Sequence, residues 1–81
     1  MILHVTSAEY VDDYKIKVTF NDSTSGIADF KKTVYTDYLD IIRELKDLKK
    51  FRNFKVDADT IVWSNGLDLA PEFIKELVCN A

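Results

Sequence analysis

The chain has 81 residues, 47% of them hydrophobic, and carries ten aromatics but only two Gly and one Pro, which fits one folded domain over residues 1–81 and excludes a disordered or linker-rich chain. A single Cys and a single His exclude an intrachain disulfide and a Cys/His zinc site, and no run approaches the roughly 20 apolar residues of a membrane span. The net charge of −3 disfavours bulk nucleic-acid binding, yet residues 31–56 carry eight basic and four acidic groups between two acidic flanks.

Ile2 to Tyr10 is apolar and β-prone and predicts a first strand, with a bulge near Ser7-Ala8 where the alternation falters. Met1 to His4 is too short for a signal peptide and follows no basic segment, so a cytoplasmic protein is expected. Asp12-Asp13 signals a turn. Tyr14 to Phe20 is the cleanest strand: Tyr14, Ile16, Val18 and Phe20 share one face, while Lys15, Lys17 and Thr19 take the other. One wet face implies antiparallel pairing. Asn21 to Thr24 is a loop, and Ser25 to Phe30 the partner strand, with Gly26 a weak spot inside it.

Lys31 to Tyr35 reads as a connector. Thr36 or Asp37 is placed to cap a helix, along which Tyr38, Ile41, Ile42, Leu45 and Leu48 form one apolar stripe. Arg43 is placed to pair with Asp40 and Asp47, and the helix is expected to end between Asp47 and Lys50. Arg52 to Val56 alternates as a fourth strand, and Asp57-Ala58-Asp59 turns the chain.

Thr60 to Trp63 is a β-branched and aromatic run. Asn65-Gly66 suits a type I′ turn, and Leu67-Asp68-Leu69 resumes the alternation as a return strand. Pro71 then opens a helix to Cys79, with Phe73 above Leu77, Ile74 above Val78, and Leu69 placed to staple onto Ile74. The fold class is therefore α+β: a small, mostly antiparallel sheet with one central and one C-terminal helix.

Chemistry-bearing groups are sparse. His4 and Cys79 stand near opposite ends of the chain, so a nucleophile–base pair has little to draw on. The acidic pairs Asp12/Asp13 and Asp57/Asp59 match no calcium-loop spacing, and turn formation accounts for them. Two isolated Gly supply no phosphate loop. No metal and no cofactor is expected. Lys46, Lys49, Lys50, Arg52 and Lys55 interleave with Phe51 and Phe54, a pattern able to hold phosphates and stack bases. Against it, both Phe can point inward while the lysines solvate a helix end, where positive charge suits the macrodipole. Trp63, Asn65, Asp68 and Glu72 form a candidate interaction surface; Trp63 is equally suited to the core, and Asp68 to bonding the turn or the helix start.

The succession His4-Val5, Tyr14-Lys15-Ile16, Phe20-Asn21-Asp22, Leu45-Lys46-Asp47, Phe51, Val56-Asp57 and Thr60 to Glu72 resembles the bacterial domain-of-unknown-function family 2442. The specific part is Trp63-Ser64-Asn65-Gly66-Leu67-Asp68-Leu69-Ala70-Pro71-Glu72; Leu48 departs from the Pro usual in that family, which implies an extended helix. The resemblance implies an α+β fold, no established catalytic residues, and members encoded beside another small protein in a toxin–antitoxin-like arrangement. The expected function is a non-enzymatic module binding a small protein partner, antitoxin-like or regulatory. The alternative is a nucleic-acid contact module built on residues 46–55, and the third an enzyme using carboxylates such as Asp68 and Glu72. The oligomeric state stays open, since an uncovered sheet edge can pair into a dimer.

Overall fold

A computed structural model describes residues 2–36 and 39–79. The elements run β1 (Val5–Asp12), β2 (Lys15–Phe20), β3 (Ser25–Asp29), α1 (Lys31–Thr36), α2 (Asp40–Arg43), a 3-10 turn (Glu44–Lys46), α3 (Leu48–Phe51), β4 (Phe54–Asp57), β5 (Thr60–Trp63) and α4 (Pro71–Cys79). The class is α+β and all the strand pairs are antiparallel. The strands divide between two sheets, β1-β2-β3 and β4-β5, joined where the Val5 N–H donates to the Asp59 carbonyl at 2.9 Å.

β2 is the centre of the larger sheet, and its alternation is realised: Tyr14, Ile16, Val18 and Phe20 are buried while Lys17 is exposed. Pairing continues that inner face sideways. Ile16 lies between Tyr10 and Ala28, and Val18 between Ala8 and Gly26. Tyr14 itself belongs to the turn, with Asp13 at φ +47°, so the reversal comes one residue later than Asp12-Asp13 suggested. β1 starts and ends later than the expected Ile2–Tyr10. Its register slips at Thr6 and again at Val11, flanking the expected Ser7-Ala8 rather than falling on it.

Lys31–Tyr35, expected as a connector, is helical. The Asp29 carboxylate accepts the Lys31 N–H at 3.0 Å, the Val34 N–H reaches the Phe30 carbonyl at 3.0 Å, and Val34 is buried. Thr36 ends this helix instead of capping the next. The expected cap Asp37, the expected stripe residue Tyr38 and the Cys79 side chain lie outside the described residues. The single central helix is divided. Ile42 and Leu45 face the core as expected, and Arg43 pairs with Asp40 at 4.0 Å. At Asp47, however, the backbone is extended (φ −73°, ψ 112°), and its carboxylate caps α3 by accepting the Lys49 N–H at 3.0 Å. Leu48 therefore begins a helix rather than extending one.

The type I′ turn is Ala58-Asp59, at φ +49° and +68°, closing the β4–β5 hairpin. Asn65-Gly66 is a different device. Gly66 alone has positive φ, at +92°. Its N–H bonds the Trp63 carbonyl at 2.9 Å, and the Trp63 N–H bonds the Leu67 carbonyl at 2.8 Å, which makes a three-residue loop. The return side is a single bridge between Val62 and Asp68. Helix α4 begins at Pro71, where a missing N–H costs nothing, and packs on β3 with Ile74 buried.

Candidate functional site

Trp63 is 2% exposed and belongs to the core, which corrects its candidacy as a surface residue. Its ring lies among Phe30, Phe51 and Phe54 at centroid distances of 5.7, 6.0 and 6.2 Å. The indole N–H donates to the Phe51 carbonyl at 2.8 Å, satisfying one of the carbonyls left open at the end of α3. Asn65 is structural too. Its amide donates to the Ile41 carbonyl at 3.0 Å and lies 3.3 Å from a Glu44 carboxylate oxygen, while its carbonyl accepts the Leu67 N–H at 3.0 Å. One side chain thus holds the loop against the helical turns of residues 40–46. Asp68 and Glu72 are exposed. The four residues therefore split into two internal braces and two surface carboxylates, and do not form one surface.

The basic block is exposed throughout, but it spans the 3-10 turn, α3 and β4 rather than one helix face. Its aromatic partners are not the expected ones. Phe51 is buried. Lys46 lies over the Tyr35 ring at 5.1 Å, and Arg52 over Tyr10 at 5.1 Å. Lys50 pairs with Glu44 at 3.7 Å and Lys55 with Asp57 at 3.6 Å. Local order in the sequence carries no signal for Tyr10 and Tyr35, because the fold brings them in from β1 and α1.

Two further clusters are long-range in the same way. The Tyr14 hydroxyl donates to the Lys46 carbonyl and lies 3.3 Å from the Tyr35 hydroxyl. The bond with Tyr35, and then burial, push the Tyr14 phenol up to about 12. Lys75 on α4 contacts the Asp22 carboxylate across 53 residues of sequence and lies 5.6 Å from the Phe20 ring centroid. Hydrogen bonds from Lys75 and then Thr24 hold Asp22 well below the usual carboxylate range. Both shifts lead away from neutrality, opposite to what a general acid or base needs. His4 approaches Asp59 at 3.5 Å in a partly exposed position. Among the described residues no three His, Cys, Asp or Glu side chains converge as metal ligands, and no helix is long and apolar enough to cross a membrane.

Among the described residues two surface grooves stand out. One, of about 240 Å³, is lined by Asn53, Phe54, Lys55, Val62, Trp63 and Ser64. The other, of about 310 Å³, lies between α1 and α4, with Phe73 and Leu77 from α4 and Lys32, Thr33 and Thr36 from α1. Phe73 is 37% exposed there, while Leu77 is half-buried and also packs against the core.

A family model described as "Protein of unknown function (DUF2442)" matches residues 5–78. No curated protein and no solved structure matches the chain significantly.

Proposed function

This chain belongs to the DUF2442 family, and from that premise we propose that it is a non-enzymatic module that binds a small protein partner, antitoxin-like or regulatory in kind. The observation that carries this reading is the α1–α4 groove. A large apolar side chain, Phe73, stands 37% exposed beside Leu77, with a rim of Lys32, Thr33 and Thr36. An apolar floor with a polar rim is the anatomy of a protein contact. The surroundings support it: the strongly shifted groups, Tyr14 and Asp22, are committed to internal bonds. The test is capture from nuclease-treated host lysate by the tagged wild type and by a Phe73→Glu variant. A protein held by the wild type and lost by the variant supports the reading. Identical retention by both, or none by either, overturns it.

A second reading, nucleic-acid contact through Lys46, Lys49, Lys50, Arg52 and Lys55, is favoured by one observation: all five are exposed, and two lie over tyrosine rings. Its test is salt dependence. Phosphate contacts release counterions, so binding to single-stranded oligonucleotide must weaken steeply between about 50 and 200 mM salt; a flat profile removes this reading.

A further inference from the structure

The free edge of β3 is self-complementary. The β2–β3 register pairs Ile16 with Ala28 and Val18 with Gly26, and the flanking bonds, Phe30 N–H to the Tyr14 carbonyl and Phe20 N–H to the Thr24 carbonyl, fix the phase. The even-numbered residues of β3 turn their backbone groups to β2, so Ser25, Ile27 and Asp29 turn theirs outward. Among the described residues no hydrogen bond reaches the backbone N–H or C=O of these three. The edge is also accessible: Ser25 is exposed and Ile27 is 41% exposed, an unpaired row of donors and acceptors. α4 packs on β3 as well, on the inner face where Val78 meets Gly26, and leaves these outward backbone groups unbonded; the other edges are flanked or short. β1 has β4 and β5 beside it, and the outer edge of β4 offers only Phe54 and Val56, the residues out of phase with its closing turn.

We propose that β3 pairs with β3 of a second copy of this chain, antiparallel about a two-fold axis at Ile27, to make one six-stranded sheet. This register sets Ile27 against Ile27 of the other copy and Ser25 against Asp29. It brings all three outward residues into hydrogen-bonded pairs at once, for about six backbone bonds. Sliding by two residues in either direction takes one of the three out of the matching strand. The side chains agree with the register. On the outer face the two Ile27 side chains meet at the axis, with Lys17 of each copy on the far side of its own Ile27. Asp29 meets a serine hydroxyl rather than another acid, and on the inner face Gly26 meets Ala28, two small residues. The interface is isologous, and so closes at two copies.

The expected mass in solution, by sedimentation or light scattering, is twice the monomer's 9.4 kDa. Ile27→Lys places like charges across the axis, and Ile27→Pro removes the outward N–H at a position where an edge strand tolerates it. Both are expected to give monomers with unchanged circular dichroism. Register is tested by oxidation in a Cys79→Ser background. Ile27→Cys faces its own copy at about 5.5 Å and forms a covalent dimer; Ser25→Cys stands several residues from its own copy and does not. A wild type monomeric up to about 1 mM, a dimer indifferent to Ile27→Lys, or equal cross-linking at positions 25 and 27 overturns the proposal. The Phe73→Glu variant leaves this dimer intact, so failure of the partner reading and failure of this one are separable.

Discussion

Val78 Cγ1 lies 2.5 Å from the place where a Cβ on Gly26 would stand. That contact seats α4 on the three-stranded sheet, and it turns an apparent weak spot in β3 into a fitted position. The φ of Gly26 is not positive, so space, not backbone freedom, requires the glycine. Val78 is β-branched and stiff at χ1, so it yields poorly. Gly26→Ala is expected to cost about 1–3 kcal/mol, the usual range for overpacking. A denaturant titration checks this, with Val78→Ala expected to restore much of the loss in the double variant. Full stability of Gly26→Ala alone contradicts the account.

What could be read from the sequence, and what could not, divides along the same line. Ile16, Val18 and Phe20 were legible because a strand writes its burial as strict alternation. Pro71 was legible as a helix start because a lost N–H costs nothing in the first turn of a helix and would break its interior. Asn65 misled because Asn-Gly is the strongest local signal for a type I′ turn, whereas here its side chain braces residues 41, 44 and 67. The true type I′ turn uses Ala58-Asp59, whose composition advertises it less. The cation–ring pairs Lys46–Tyr35 and Arg52–Tyr10 join different elements, and periodicity within one element cannot register them.

The Asp22–Lys75 bridge makes α4 sensitive to acid. The folded pKa of Asp22 is depressed, so its stabilisation is present above the unfolded carboxylate pKa of about 4 and is lost as pH falls below it. Asp22→Asn is expected to lower the denaturant midpoint at pH 7. The gap to the wild type then narrows as the pH falls below about 4, where the native carboxylate of the wild type increasingly drives proton uptake on unfolding. Lys75→Met in the Asp22→Asn background is expected to cost less than in the wild type, because the two side chains share one interaction. A gap constant with pH refutes the electrostatic assignment.

Tyr14 acts at the other end of the scale. Its folded pKa is raised to about 12, and the bond to the Lys46 carbonyl requires the phenolic proton. The contribution is therefore complete below the unfolded value of about 10 and is lost as pH rises from there toward the folded value. Tyr14→Phe is expected to cost about 1 kcal/mol at pH 7, the net worth of one hydrogen bond. Its stability should also fall less than the wild type's between about pH 10 and 12. Phenolate absorbance checks the assignment directly, because one of the four tyrosines should ionise late in the wild type and be missing in the variant.

Leu48 yields the prediction that separates the two accounts of the central segment. Were Leu48 inside one continuous helix, Leu48→Pro would remove a backbone bond and cost about 3 kcal/mol or more. It stands instead at the first position of α3, directly after the capping residue Asp47, and is 38% exposed. Proline is favoured there. The residue before it must be extended, and Asp47 already is, at φ −73° and ψ 112°. Among the described residues no hydrogen bond uses the Leu48 N–H. Leu48→Pro is therefore expected to be neutral or to stabilise by about 0.4–1 kcal/mol through the unfolded chain, whereas Asp47→Ala, which removes the cap, costs about 1 kcal/mol. Chemical denaturation of the two variants side by side checks both signs. A Leu48→Pro variant that loses several kcal/mol would show that the chain keeps one long helix through Asp47.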